Sequence, residues 1–430
     1  MIQTNALKES IVMPGYLPWL VVFSAALFFF YEFIQMHMFN AISPDLMSDF
    51  HMSATTLGYV SASYFYADVI FLFPAGMLLD RLSSRKVILA AMFICVISTA
   101  LFAKATSVPM VFLCHFAAGI GNAFCFLSCI RIAARWFSNR QMALVIGLIV
   151  TMAMLGGVVA QTPLAWLVSA VGWRNALLYT ALLGALIIGL IWLFVQDYPP
   201  HKAQVISEQK QKVRNLGLFE TIKRVLSNSQ NWYCGFYTSF LNLPLMLLGG
   251  LWGSLYLTTV QHLTRLQASY VTMMVFWGTI VGGPLIGWIS DKLALRKTPM
   301  IIFGIISLPV MLAIIYIANL SLTSLIVLFF LLGLFTSAQI ISYPTIEESN
   351  DKAITGTAMG LASVLIMGAP AIFEPVFGWL MDKNWDGTIV NGAHYYSAHA
   401  YYYSMLIMPA VLFVGLIASF LVKETNAQGQ

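Results

Sequence analysis

A chain of 430 residues that is 60% hydrophobic, only 9% charged and has a mean hydropathy of +0.82 cannot clothe a water-facing surface. Soluble domains carry about a quarter charged residues, so lipid must cover this exterior. The net charge of +5 does not mark a nucleic-acid binder, because the basic residues sit in the segments that flank apolar runs.

At roughly twenty apolar residues per crossing, the chain accommodates twelve spans. Span 1 is expected at 17–40. It is too long for a leader and no small-residue cleavage site follows it. It carries Glu32 and His37. Span 2, at 55–79, carries Tyr64, Tyr66 and Asp68. At about 1.5 Å per residue, Asp68 stands roughly 18 Å from Asp80, near mid-bilayer, and Glu32 roughly 22 Å into span 1. Spans 3 and 4 are read at 86–104 and 109–133; the fourth holds His115 and, near its end, Arg131. Spans 5 and 6 follow at 142–168, with Gln161, and at 173–196.

The segment 197–230 is the long hydrophilic stretch of the chain. It is basic and amphipathic, suited to the anionic inner leaflet, and it divides the chain into six-span halves, 1–196 and 231–430. Spans 7 to 12 are expected at 231–260, 268–290, 299–318, 321–345, 354–381 and 399–422. Asn242 precedes Pro244 in span 7, and Gln339 and Tyr343 lie in span 10. Glu374 stands between Pro370 and Pro375 in span 11. The aromatic stretch from Asp382 to Tyr403 reads as an external loop that is either an interfacial anchor or an outer gate. The five cysteines (Cys95, Cys114, Cys125, Cys129, Cys234) all sit in apolar runs without a companion His or acid, so no metal or cofactor is expected.

With the N-terminus inside, eighteen of the 22 Lys and Arg fall on the cytoplasmic side. This positive-inside bias places both termini in the cytoplasm.

Ionisable residues within spans are costly and mark working parts. Asp68, Glu32, Glu374 and His115 are candidates for proton coupling, and the three carboxylates are expected to face one central cavity from both halves. The alternative for each is to satisfy neighbouring donors and fix helix packing. Arg131 either snorkels to the cytoplasmic face or holds a solute carboxylate or phosphate in its planar fork. Asn242, Tyr64, Tyr66, Gln161, Gln339, Tyr343 and His37 are candidate solute contacts, or interhelical links.

One loop occurs twice. Gly76-Met-Leu-Leu-Asp80-Arg81-Leu-Ser-Ser-Arg85-Lys86 follows span 2, and Gly287-Trp-Ile-Ser-Asp291-Lys292-Leu-Ala-Leu-Arg296-Lys297 follows span 8, 211 residues later. Gly76 and Gly287 let helices approach closely. Asp80, Arg81, Arg85, Asp291, Lys292 and Arg296 can pair at a cytoplasmic helix end in one conformation and separate in another. The other reading is a charge anchor that only sets topology.

Twelve spans, a central loop and this doubled motif resemble the major facilitator superfamily over nearly the whole chain. Trp136-Phe137-Ser-Asn-Arg140 followed by Gly147 resembles the family's loop between spans 4 and 5. Trp277 to Pro284 resembles its span 8, and Glu347 to Gly360 its passage from span 10 to 11. Arg140 and Glu347 thereby join the expected gate. Tyr31-Glu32-Phe33 resembles a proteobacterial branch whose substrate is unassigned. The resemblance implies an all-helical membrane protein of the bacterial inner membrane, with two pseudo-symmetric six-helix bundles rocking around a central site. Two features depart from the family pattern. His115 stands where an Arg precedes Gly119-Ile-Gly121, and Gly156-Gly157 lacks the adjacent Pro of the antiporter motif, which favours uptake over export.

No H-E-x-x-H, G-x-S-x-G or Walker loop is present, so a membrane enzyme is disfavoured and transport is expected to be secondary. The leading expectation is proton-coupled uptake of a small polar metabolite: an organic anion, a carboxylate siderophore, an amino acid or a short peptide. The alternatives are a proton-driven exporter of amphipathic compounds and a sensor that binds solute without moving it. The expected partners are a small solute, protons and the bilayer, with the chain a monomer.

Overall fold

The computed structural model describes residues 15–138, 141–199, 218–317, 319–351, 354–390 and 393–426. Eleven of the described helical segments are long and apolar enough to cross a membrane. They are span 1 (Leu17–Phe50), span 3 (Ser84–Ala103), span 4 (Val108–Trp136), span 5 (Leu144–Val171) and span 6 (Trp173–Phe194), then span 7 (Ser229–Val260), span 8 (Arg265–Leu293), span 9 (Lys297–Tyr316), span 10 (Leu322–Glu348), span 11 (Thr355–Lys383) and span 12 (Ala398–Leu421). The 28-residue helix Ala54–Arg81 is span 2; at 1.5 Å per residue it reaches about 42 Å, long enough to cross.

Local chemistry sets the ends. Ser53, Ser83 and Ser321 each accept a hydrogen bond from a backbone N–H in the first turn that follows, and Thr264 with Gln267 forms a full capping box ahead of span 8. Span 1 outruns the expected 17–40. It breaks at Met38 and resumes as Phe39–Phe50, ending where His51 turns left-handed at φ 50°. Span 7 is interrupted after Pro244 by eight residues in π geometry, Leu245–Trp252, and span 10 by a 3₁₀ turn, Ser337–Ile341. Of the hydrophilic segment, 200–217 lies outside the described residues, and Leu218–Ser227 forms a short helix ahead of span 7. The loop after span 11 carries a two-stranded ribbon, Ile389–Val390 against Ala393–His394.

Spans 1–6 form one bundle and spans 7–12 the other. They meet where span 2 packs on span 11, span 5 on span 8 and span 1 on span 7. Two glycines set the distance between spans 2 and 11. A Cβ on Gly58 would lie 2.6 Å from the carbonyl oxygen of Glu374, and one on Gly378 2.2 Å from that of Ala54. Only a bare backbone permits such an approach.

The contact is one-sided. Hydrogen bonds between the bundles, among the described residues, gather in the second halves of spans 1, 5 and 7, the first half of span 8, and the ends of spans 2 and 11 next to the 51–53 and 384–397 loops. Towards the opposite end, a Cβ on Gly76, Gly147, Gly287, Gly356 or Gly360 would meet nothing within 4 Å, so Gly76 and Gly287 do not bring helices together as expected of their motif. Among the described residues, the hydrogen-bonded closure of the bundles is thus one-sided.

Candidate functional site

The first cluster lies inside the N-terminal bundle. Gly119 lets span 4 rest on span 2, its Cβ position being 2.1 Å from the Tyr64 carbonyl oxygen. Two residues on, Gly121 makes room for a carboxylate: a Cβ there would be 2.8 Å from Glu32 Oε1. Glu32 Oε2 accepts a hydrogen bond from the Tyr64 hydroxyl at 2.7 Å. Asp68 Oδ2 accepts one from Asn122 Nδ2 at 2.9 Å. His115 is wedged between the rings of Phe39, Tyr64 and Phe102, and neither of its nitrogens has a hydrogen-bond partner among the described residues. The Gly-x-Gly of span 4 thus serves packing and the housing of Glu32 together.

The second cluster is the seam between bundles. Asn40 donates to Gln161 Oε1 and to Thr272 Oγ1, and its own oxygen accepts from Ser254 N at 2.8 Å. Gln161 accepts also from Thr272 at 2.7 Å and donates to the Gly249 carbonyl at 2.8 Å. Arg265 of span 8 pairs with Asp45 and the Ala41 carbonyl of span 1. Asp382 accepts from the backbone N–H of Ala54 at 3.2 Å and Thr55 at 3.0 Å, capping span 2 from the other bundle, with the Tyr396 hydroxyl joining it. Burial and the Asp382 carboxylate push the pKa of that hydroxyl up. Asp382 and Tyr396 thus tie the aromatic stretch to the N-terminal bundle.

Each hydrogen bond to Gln161 contributes about 1 kcal/mol. Gln161→Leu is therefore expected to weaken the closed seam about tenfold. Impermeant thiol labelling at a cysteine placed in the seam reads this directly: unchanged protection contradicts the role.

Glu374 lies in this seam too, so the three carboxylates expected to share one cavity are divided. Glu32 and Asp68 belong to the N-terminal bundle, while Glu374 packs beside Gly58 of span 2 and Gly250 of span 7. His37 reaches the same place from span 1. Tyr64 and Tyr66 are also separated, Tyr66 lining a lateral cleft of about 320 Å³ with Tyr59, Ile372 and Trp379.

The remaining solute candidates lie nearer the open end. Asn242 and Gln339 are joined, Gln339 Nε2 donating to Asn242 Oδ1 at 3.0 Å. Tyr343 is half-buried one turn further along span 10, and Arg131 is half-buried on the stripe of span 4 that includes Ile120, Phe124 and Leu127.

At that end the doubled loop ties helices within each bundle. Asp197, just after span 6, accepts from Arg85 N at 3.2 Å, from Ser83 and from Arg135 Nη1 at 3.1 Å. Glu424, just after span 12, accepts from Arg296 N at 2.7 Å and Lys297 N at 3.0 Å. The two carboxylates cap spans 3 and 9 in corresponding positions. The Arg296 guanidinium holds Asp291 at 2.6 Å and Glu348 at 2.8 Å. Burial lowers its pKa, but these carboxylates more than offset that and hold it above its ordinary value. Glu347 is exposed, and its neighbour Glu348 makes the pair. Lys292 stacks on Trp288. Arg140 lies outside the described residues, as do the side chains of Asp80 and Arg81. Asp197, Glu348 and Glu424 carried no signal beyond being acidic residues near span ends.

Arg296 and Glu348 are each 8% exposed. Breaking such a buried pair costs about 3–5 kcal/mol. Glu348→Gln is therefore expected to lower the melting temperature in detergent by several degrees. A shift within error would mean that Asp291 and Glu424 suffice.

A family model described as Major Facilitator Superfamily matches residues 21–264 and again 243–430. An uncharacterized transporter, YybO of Bacillus subtilis, is 25% identical over 45% of this chain, and the chain spans only 45% of that relative's length. The probable galactarate/D-glucarate transporter GarP of Escherichia coli K12 is 22% identical over 79% of this chain and 82% of its own. The chloramphenicol resistance protein CraA of Acinetobacter baumannii is 28% identical over 72% and 70%. Among solved structures, a bacterial homologue of the human lysosomal transporter Spinster, inward-facing and unoccupied, has a TM-score of 0.73. It covers 95% of this chain and 98% of its own at 17% identity.

Proposed function

The chain belongs to the Major Facilitator Superfamily, and from that membership we propose that it takes up a small organic anion of the sugar-acid kind, coupled to protons, by alternating access. The observation that carries this reading is the one-sided closure: polar links bridge the bundles at one end, while open glycine faces line spans 2, 5, 8 and 11 at the other. The Lys and Arg bias assigns the closed end to the outside and both termini to the cytoplasm. The conformation described is then the inward-open one. The halves 1–196 and 231–430 act as the rocking bodies, tied by 197–230, and the working unit is the monomer.

Arg131, in span 4 towards the open end, supplies the planar fork for a solute carboxylate. Asn242 and Gln339, joined to each other in the C-terminal bundle, are the amides available to bind solute hydroxyls. The resemblance to a sugar-acid transporter over most of both chains supports this solute class. Glu374, Glu32 and Asp68 are the groups available to carry the proton.

A second reading, export of amphipathic compounds, is favoured by the likeness to CraA. Thermal unfolding of the purified protein separates the two. A true ligand at a hundred times its dissociation constant stabilises by about 2.7 kcal/mol. Stabilisation by aldarates or aldonates is expected; stabilisation only by bulky amphiphiles would move the assignment to export.

A further inference from the structure

Span 7 does something unusual at the seam. Pro244 is followed by the π segment Leu245–Trp252, whose wide turn brings Gly249 and Gly250 against the N-terminal bundle. π turns inside helices are frequent at functional sites. Gly250 stands between two ionisable residues from opposite bundles: a Cβ there would lie 3.6 Å from Glu374 Oε1 and 3.9 Å from His37 Cδ2.

His37 is fixed in place. Its Nδ1 lies 2.9 Å from the Phe33 carbonyl oxygen, to which it donates, and its ring meets the Phe276 ring at 4.9 Å between centroids. That leaves Nε2 for the seam. His37 Nε2 and both carboxyl oxygens of Glu374 have no hydrogen-bond partner among the described residues, and both residues are 0% exposed.

Among the described residues, the surroundings offer no other charge to balance Glu374. Span 2 brings the Ser61 hydroxyl beside Glu374, and the Tyr66 phenol. Span 5 brings Gln161, span 7 its glycines and Trp252, and span 8 Phe276 and Thr272. Of the other acids on spans 1 and 2, Glu32 and Asp68 are held by Tyr64 and Asn122, and Asp45 and Asp49 pair with Arg265 and Arg174. An ionised carboxylate left alone in this dry seam is strongly unfavourable. With one proton on the pair, carried by Glu374 or by His37, the pair has no net charge.

We propose that Glu374 and His37 form a proton-binding site split between the bundles, and that its occupancy permits the outer seam to close. One proton is taken from the outer solution while the seam is open and is given up to the inner solution after closure. This rests on the proton-coupled reading above and deepens it, singling out Glu374 and His37 over Glu32 and Asp68 as the groups that sense the seam.

The experiment measures the seam, not transport. Spin labels on exposed positions of each bundle, Asn175 in the first turn of span 6 and Thr388 in the loop after span 11, report the fraction closed; the five native cysteines are buried and do not compete for label. For one linked proton, the closed-to-open ratio in wild type is expected to rise up to about tenfold per pH unit as pH falls, between about pH 8 and pH 5. Glu374→Gln, which carries its neutral amide at every pH, should be closed and flat across that range. His37→Gln should keep a pH response with a displaced midpoint. A Glu374→Gln response with the wild-type slope and midpoint overturns the proposal. Proton-driven solute accumulation by wild type is measured separately in proteoliposomes. Accumulation together with an unaltered Glu374→Gln response defeats the split site alone. A seam response abolished by Glu374→Gln without any proton-driven flux defeats the coupling reading and leaves a pH latch.

Discussion

Gly58→Ala is expected to abolish most uptake while leaving the protein folded and inserted. The added methyl would sit 2.6 Å from the Glu374 carbonyl oxygen and 2.9 Å from Pro375 Cα. Both are backbone atoms, so no side chain can swing aside, and spans 2 and 11 must part. Overpacking of this kind costs about 1–3 kcal/mol, which lowers the population of the outer-closed state by roughly tenfold to a hundredfold. Helix propensity works the other way, since alanine favours a helix over glycine by about 1 kcal/mol. A loss of uptake therefore cannot be blamed on a weakened span 2. Gly378→Ala, with its Cβ 2.2 Å from the Ala54 carbonyl oxygen, should behave alike. Both are read as initial uptake rate together with increased labelling of a seam cysteine from outside. Wild-type uptake in both variants would mean that closure does not need this approach.

Arg131 is the second test. If its guanidinium holds a carboxylate, the charge-assisted hydrogen bonds contribute about 1.5–3 kcal/mol. Arg131→Ala is then expected to weaken solute affinity by roughly ten- to a hundredfold. Arg131→Lys should recover only part of it, because an ammonium keeps the charge without the planar fork. Titration calorimetry of each variant with the ligand found by thermal unfolding gives the ratios. Equal affinity in wild type and Arg131→Ala would return the residue to anchoring span 4 at the inner face.

The scaffold was legible in the sequence for a plain reason. A crossing helix needs a long apolar run, and such runs are visible one at a time. The doubled loop was visible as well, because its spacing is kept in both copies. What a linear pattern withholds is direction around a helix. Tyr64 and Tyr66 are two residues, about 200°, apart on a helix, so they cannot line one wall; the structure sends one to Glu32 and the other to the lateral cleft. Glu347 and Glu348 differ by about 100°, and it is the second that meets Arg296.

The seam was still less legible. Asn40 and Thr272 are 232 residues apart, and neither polar residue differs from any other hydroxyl or amide in an apolar run. Gln161 was marked as a solute contact or an interhelical link, and both polar atoms of its side chain are engaged between the bundles. His37 and Glu374 were marked separately, and only the fold brings both to Gly250.

Solute flux in proteoliposomes tests the central claim most directly. With an inward proton gradient and an aldarate or aldonate outside, the account predicts accumulation above the external concentration, lost when a protonophore collapses the gradient. Accumulation indifferent to the protonophore, or proton-driven expulsion of the same compound, would contradict it.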